Sequence, residues 1–217
     1  QLHAFADTMP SKGANLQSWT PVYPSDGEGL AAPKQVNYNA VGGNLYKAGY
    51  EKHGSIYVAL KTLNSDYIWD KVRLEGGAYG GRANFSASSG VLAFLSWDDP
   101  NLTGTLKTFA GAADYLRTID LREEELQKAI IGTTGDMDAY QLPDAKGWSD
   151  TQRYLIGLSD EQRQQTRDEV FATTVKDYQA LGEKLAAYNE SAVAVVLGSP
   201  DAIKDANAEL GDTLEGS

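Results

Sequence analysis

The stretch Trp69-Asp70-Lys71-Val72-Arg73-Leu74-Glu75-Gly76-Gly77-Ala78-Tyr79-Gly80-Gly81-Arg82 decides how the chain is read. Upstream of it, Ile56, Leu60, Leu63 and Tyr67 recur at helical spacing, so residues 55–74 read as an amphipathic helix with one face packed inward. Two glycine pairs then break the pattern and a strand pattern begins. The helix delivers a cation, Arg73, to its end, with a phenol, Tyr79, six residues on beside permissive backbone. Both side chains are donors able to meet a carbonyl oxygen or an oxyanion formed from it. A plainer reading competes: a glycine-capped helix terminus, Arg73 near its negative end, and Tyr79 in the core.

Outward from this junction, Arg82–Ala87 and Val91–Trp97 flank Ser88-Ser89-Gly90, the pattern of an antiparallel hairpin that Asp98-Asp99-Pro100-Asn101 stops. Leu102, Leu106, Phe109, Ala113 and Leu116 predict the next helix. Asp120 with Glu123 resembles a capping box opening another, through Leu126 and Ile130. Gly132–Gly147 loses periodicity and reads as an extended loop. Ser159 with Gln162 caps what reads as the longest helix, carrying Val170, Thr174, Tyr178, Leu181 and Leu185. Ala192–Leu197 is a short apolar strand, and Ser199-Pro200 opens a last helix.

Upstream, Gln35–Val41 alternates, with Val36, Tyr38 and Ala40 expected on the buried face and Asn37 and Asn39 on the other, until Gly42-Gly43 ends the strand. Residues 1–34, broken by Pro10, Gly13, Pro21, Pro24, Gly27, Gly29 and Pro33, read as an arm or linker with one strand around Trp19–Tyr23. The organisation expected is therefore an arm over 1–34, one module over 35–210 and a frayed acidic tail over 211–217. The fold class is α+β, a largely antiparallel sheet covered on one face by helices.

With 217 residues, 41% hydrophobic and 23% charged, the chain has enough apolar material for a sizeable core. A net charge of -11 without any basic run argues against nucleic-acid binding, and only weakly favours a cationic partner. There is no cysteine, which excludes disulfides and thiol chemistry. The two histidines, His3 and His53, stand far apart and outside any HxxEH, HExxH or HxH spacing, so a catalytic zinc site made by this chain alone is not expected. No apolar run has the length of a membrane span. The chain opens at Gln1 and is read as a processed or excised piece, so its compartment is not taken from its N-terminus.

Asp136 with Asp138, or Asp98 with Asp99, lacks the further oxygen ligands of a calcium loop and reads as helix caps and turns. The glycines form neither a phosphate loop nor a GxGxxG, and no Gly-x-Ser-x-Gly elbow supports a serine triad. His53 receives no role. No metal site is assigned to this chain.

Longer segments take the reading further. Asn44-Leu-Tyr-Lys-Ala-Gly-Tyr-Glu-Lys-His-Gly-Ser55, Trp69–Gly81, and Ala129-Ile-Ile-Gly-Thr-Thr-Gly-Asp-Met-Asp-Ala-Tyr-Gln-Leu-Pro-Asp-Ala-Lys-Gly147 resemble the C-terminal part of the presequence proteases. Phe94–Leu102 and Glu161–Gln165 fit as well, and the resemblance runs from about Glu28 to Leu197. That family belongs to the pitrilysin/insulinase group of zinc metallopeptidases, built as two halves of two α+β modules each, closing around a peptide chamber. The resemblance implies that this chain is the last module. The zinc ligands and general base would lie in an inverted HxxEH motif of the first module. The N-terminal catalytic half of the same polypeptide and short unstructured peptides would be its partners. An Arg and a Tyr that reach the substrate across the chamber fall on Arg73 and Tyr79, with Gly76 and Gly77 beside them lying close to bound peptide. The activity implied is zinc-assisted peptide hydrolysis, with cleaved targeting sequences among the substrates, in the mitochondrial matrix or chloroplast stroma. Two alternatives stay open: a non-catalytic pitrilysin-like structural or peptide-binding subunit, and an acidic scaffold docking through a helical face.

Overall fold

A computed structural model describes residues 4–5, 7–9, 18–20, 27–211 and 213–216. Among these, six strands form one sheet: β1 (Gly27–Ala31), β2 (Asn37–Asn44), β3 (Gly80–Phe85), β4 (Val91–Asp99), β5 (Val193–Gly198) and β6 (Leu214–Gly216), in the spatial order β3-β4-β2-β5-β1-β6. The β3–β4, β4–β2 and β2–β5 pairs are antiparallel, whereas β1 runs parallel to both β5 and β6. The helices are α1 (Ser55–Thr62), continued by a π-helical stretch (Leu63–Glu75), α2 (Thr103–Thr118), α3 (Glu123–Met137), α4 (Pro143–Leu155), α5 (Asp160–Phe171), α6 (Val175–Asn189) and α7 (Pro200–Leu210). The α+β class with a mostly antiparallel sheet is as the sequence predicts.

The core lies between one sheet face and α1, α2 and α6. Leu92, Phe94, Phe109, Leu116, Tyr178, Leu185 and Tyr188 are all at most 1% exposed. Alternation along the strands fixes which face is which. Ala83, Phe85, Leu92, Phe94 and Val196 point to the helices and are buried. Their neighbours Arg82, Leu95, Val195 and Leu197 point the other way, onto a face that no described element covers.

The strand read over Gln35–Val41 has the reverse orientation to the one expected. Asn37 and Asn39 are 5% and 1% exposed, while Tyr38 is 37% exposed. The asparagines are on the helix side because their amide N–H groups find acceptors there. The Asn37 amide donates to the Asp99 carbonyl at 3.0 Å, and that of Asn39 donates to Ser96 Oγ and to the Asn101 carbonyl, each at 3.0 Å. A hydrogen-bonded amide loses little on burial, so hydropathy alone misassigns it. Gly42-Gly43 does not end the strand either. A Cβ at Gly43 would stand 2.9 Å from the Tyr188 ring, so the glycine is what lets α6 lie on the sheet. There the Tyr188 hydroxyl donates to the Leu92 carbonyl at 2.9 Å.

Both ends of the chain differ from expectation. β1 lies inside the stretch read as an arm, and β6 inside the tail read as frayed, with Leu214 only 2% exposed. Short strands rich in glycine carry little alternation, and it is their pairing with distant partners that orders them. Of the strand expected around Trp19–Tyr23, Trp19 and Thr20 belong to no strand, and residues 21–23 lie outside the described residues.

The extended loop expected over Gly132–Gly147 is mostly helix: α3 runs to Met137, only 138–142 is loop, and α4 starts at Pro143. Gly132 and Gly135 sit inside α3, where tertiary support and continuous hydrogen bonding outweigh glycine's poor propensity. The cap of α3 is two residues later than expected, with the Arg122 N–H donating to the Glu125 carboxylate at 2.9 Å. The long helix after Ser159 is two helices. Ser159 and Gln162 make the predicted reciprocal cap, but Thr174 starts a new helix, its N–H donating to the Asp177 carboxylate at 2.7 Å. The Ser199 cap of α7, the hairpin and the helix over Leu102–Leu116 follow the sequence reading.

Candidate functional site

The helix that carries Arg73 changes its winding before it gets there. Leu63, Ile68 and Val72 are its buried positions, spaced five and then four apart, as suits a wider turn than the α-helical one. Val72 and Ile68 pack against the start of β3, where a Cβ on Gly81 would lie about 3.0 Å from both. Tyr67 stacks on Tyr115 at 4.6 Å between centroids and donates to the Thr108 carbonyl at 2.9 Å. Anchored on that side, the helix turns Trp69 and Arg73 outward.

The terminus is a glycine cap. Gly77 has φ +77°, its N–H donates to the Arg73 carbonyl at 3.0 Å, and the Ala78 N–H donates to the Val72 carbonyl at 3.1 Å. The chain leaving it is tied to the end of β4. Tyr79 N–H donates to the Asp98 carbonyl at 3.2 Å, and the Asn101 amide donates to the Gly76 carbonyl at 2.6 Å. Asn101 is itself fixed by Asp99, a fully buried carboxylate that accepts from the Asn101 N–H at 2.9 Å, Thr105 Oγ1 at 2.7 Å and the Asn39 amide at 3.2 Å. The loop and the helix end are thus held as one piece.

On this base Arg73 and Tyr79 come together. Arg73 Cζ lies 4.3 Å from the centre of the Trp69 ring and 5.8 Å from that of Tyr79, so the guanidinium is stacked on one aromatic and flanked by the other. Tyr79 is 69% exposed, which overturns the plainer reading that buried it in the core. Arg73 is exposed too, and among the described residues its guanidinium has no carboxylate partner. The amides of Gly76 and Gly77 are both directed at the Arg73 carbonyl, so these glycines supply clearance and not donors. Sequence reasoning missed Trp69 and Asn101 as parts of this arrangement. The i,i+4 spacing of Trp69 and Arg73 was a usable signal for the first; nothing local pointed to the second.

The remaining polar candidates are occupied by structure. Asp136 pairs with Lys61 at 2.8 Å, and Asp138 is gripped by both terminal nitrogens of Arg167 at 2.6 Å, which holds its carboxyl below the usual range. Asp98 accepts from the Tyr38 hydroxyl at 2.7 Å and thereby raises that phenol's pKa. His53 Nδ1 sits 2.8 Å from Ser55 Oγ, while the adjacent Gly54 N–H is capped from α5 by the Glu169 carboxylate at 2.7 Å. Among the described residues no three His, Asp or Glu side chains converge on a point, so the donor set does not fit a zinc ion.

The fold is that of M16 peptidase domains. The chain belongs to the PreP C-terminal domain family, whose model matches residues 27–199. It is 43% identical over 212 residues to presequence protease 1, chloroplastic/mitochondrial, of Arabidopsis thaliana, covering 97% of this chain and 20% of that protein. It is 32% identical over 188 residues to protein HypA of Clostridium perfringens, covering 87% of this chain and 19% of the other. The chain thus spans about a fifth of the length of these relatives. The inactive domain of a peptidase M16 from Pseudomonas fluorescens superposes with a TM-score of 0.62 at 16% identity, over 90% of this chain and 48% of that one. A zinc protease structure from Bordetella pertussis, so described as putative, gives 0.57 at 18% identity, over 76% and 95% of the respective chains.

Proposed function

We propose that this chain is the C-terminal, zinc-free module of a presequence-protease-like zinc metalloendopeptidase acting on short unfolded peptides, cleaved organellar targeting sequences among them. Zinc is held by another module of the longer polypeptide, and by itself this chain is inactive. Its contribution is two donors. Arg73 and Tyr79 hydrogen-bond the scissile carbonyl oxygen, and the charge that develops on it, from the wall opposite the metal. Stacking on Trp69 keeps the guanidinium's N–H edge free and aimed outward. Because the donors sit on a different half from the metal, closure of the halves both completes the site and excludes water.

One observation carries this reading: an exposed arginine with no carboxylate partner among the described residues, held between two aromatics, one of them an exposed phenol. The test uses the full-length polypeptide. Arg73→Ala and Tyr79→Phe should each lower kcat on an unstructured peptide by about 10²–10³, with zinc content unchanged. Unchanged turnover in both would remove the role. A second reading, a non-catalytic peptide-binding subunit, draws support from similar structures described as inactive peptidase domains. An intact HxxEH in the upstream reading frame decides against it.

A further inference from the structure

The chain contains seven arginines, and five of them, Arg117, Arg122, Arg153, Arg163 and Arg167, are paired with carboxylates. In a molecule of net charge -11, that is the expected fate of a guanidinium. The two left without a carboxylate among the described residues are Arg73 and Arg82. Arg82 is exposed and lies in register with Leu95. Its neighbours Gly81 and Ala83 face the helices, so Arg82 faces the uncovered side of the sheet. Beside it the ring of Trp97 lies over Gly80, where a Cβ would stand 2.2 Å from the ring, and Tyr38, Val195 and Leu197 continue the apolar surface across the strands.

The edge of β3 itself is closed to an added strand at its centre. Asn64 accepts from the Ala83 N–H at 2.6 Å and donates to the Ala83 carbonyl at 2.9 Å. What this region offers a ligand is therefore the face and not the edge: an apolar floor with the Arg82 guanidinium on β3 and, around Tyr38, Lys34 over the ring and Asp98 on the hydroxyl.

We propose that Arg82 binds a carboxylate of an extended peptide lying across this face, with the peptide's apolar side chains over Trp97 and Leu95. The carboxylate is the peptide's own C-terminus, which every unmodified peptide carries. This rests on the peptide-handling reading above and adds to it a determinant of which peptides are held, one separate from the Arg73–Tyr79 pair. A charge-assisted hydrogen bond at an apolar surface is worth about tenfold or more in affinity.

The experiment is equilibrium binding of a fluorescently labelled unstructured peptide to the full-length polypeptide, with anisotropy extrapolated to zero time. The peptide is prepared with a free or amidated C-terminus, and with Glu or Gln at its acidic positions. Wild type should bind the free C-terminal form about tenfold more tightly than the amidated one. Discrimination confined to the Glu-to-Gln arm would place the carboxylate on a side chain and overturn the proposal. Arg82→Gln should abolish the free-against-amidated difference while leaving affinity for the amidated peptide and the melting temperature unchanged; Arg82→Lys should keep part of it. Absence of discrimination by wild type, or its persistence in Arg82→Gln, overturns the proposal. So does a face covered by another part of the polypeptide or by a second copy, seen as Arg82→Gln lowering stability or altering oligomeric state with no change in discrimination. Because binding is read without turnover, these results stand apart from the kcat effects of Arg73→Ala, which test the functional reading itself.

Discussion

Asp99 is where a single residue does the most for the site. Its buried carboxylate accepts three donors, and its backbone carbonyl a fourth, from Asn37. Asp99→Ala leaves the buried Thr105 hydroxyl without its acceptor and removes one of those serving the Asn39 amide and the Asn101 N–H, a loss on the order of 3 kcal/mol. Urea denaturation of the chain measures it. Because Asn101 in turn holds the Gly76 carbonyl, Asn101→Ala should lower kcat of the full-length polypeptide with little change in stability. Gly77→Ala tests the cap: at φ +77° a Cβ is strained, and a loss of about 1 kcal/mol is expected in the same denaturation experiment. At this scale the sequence was legible where one side chain's chemistry stands by itself, as with Arg73 and Tyr79. It was illegible for Asn37 and Asn39, whose burial depends on acceptors some 60 residues away.

At the level of elements, legibility followed local signals. Ser159–Gln162 and Ser199-Pro200 are reciprocal or cap-then-proline patterns confined to four residues, and both helices start where these say. The break at Thr174 was hidden because Val170, Thr174 and Tyr178 keep helical spacing across it. α4 was missed for the opposite reason. It has no buried residue among those described, with Trp148 at 65% and Tyr154 at 85% exposure, so no packing demand shaped an interior stripe. The expected consequence is that Trp148→Ala alters the stability of the isolated chain by no more than about 0.5 kcal/mol. Amide hydrogen exchange in α4 should likewise run far ahead of that in α2, whose Phe109 and Leu116 are in the core.

Across the whole molecule, buried phenols tie helix to helix and helix to sheet. The Tyr178 hydroxyl donates to the Val58 carbonyl, and that of Tyr188 to the Leu92 carbonyl. Burial pushes Tyr178 up to about 12 from 10.0 and raises Tyr188 and Tyr50 further still. A raised folded-state pKa means that the unfolded chain releases its protons first. Stability should therefore be flat towards and below pH 10 and fall steeply above it, as the unfolded state ionises and the fold must follow. The tyrosinate absorbance due to Tyr178, taken as the difference between wild type and Tyr178→Phe, should appear together with the loss of circular dichroism in that window. Ionisation of Tyr178 well ahead of the loss of secondary structure would contradict the assignment. The overall α+β architecture was legible because periodicity reports layers. The sheet order was not, since β1 and β6 are too short and too glycine-rich to announce partners that lie at the other end of the chain.

That order bears on how the polypeptide is made. Glu28 pairs with Val195, and Gly27 with Leu214. A ribosome therefore releases β1 long before either of its neighbours exists, and the strand must wait, unpaired, while helices and hairpin assemble behind it. A nascent chain halted just short of Val193 should hold most of its helices and still leave residues 27–31 open to protease. Release of the last few dozen residues should close them.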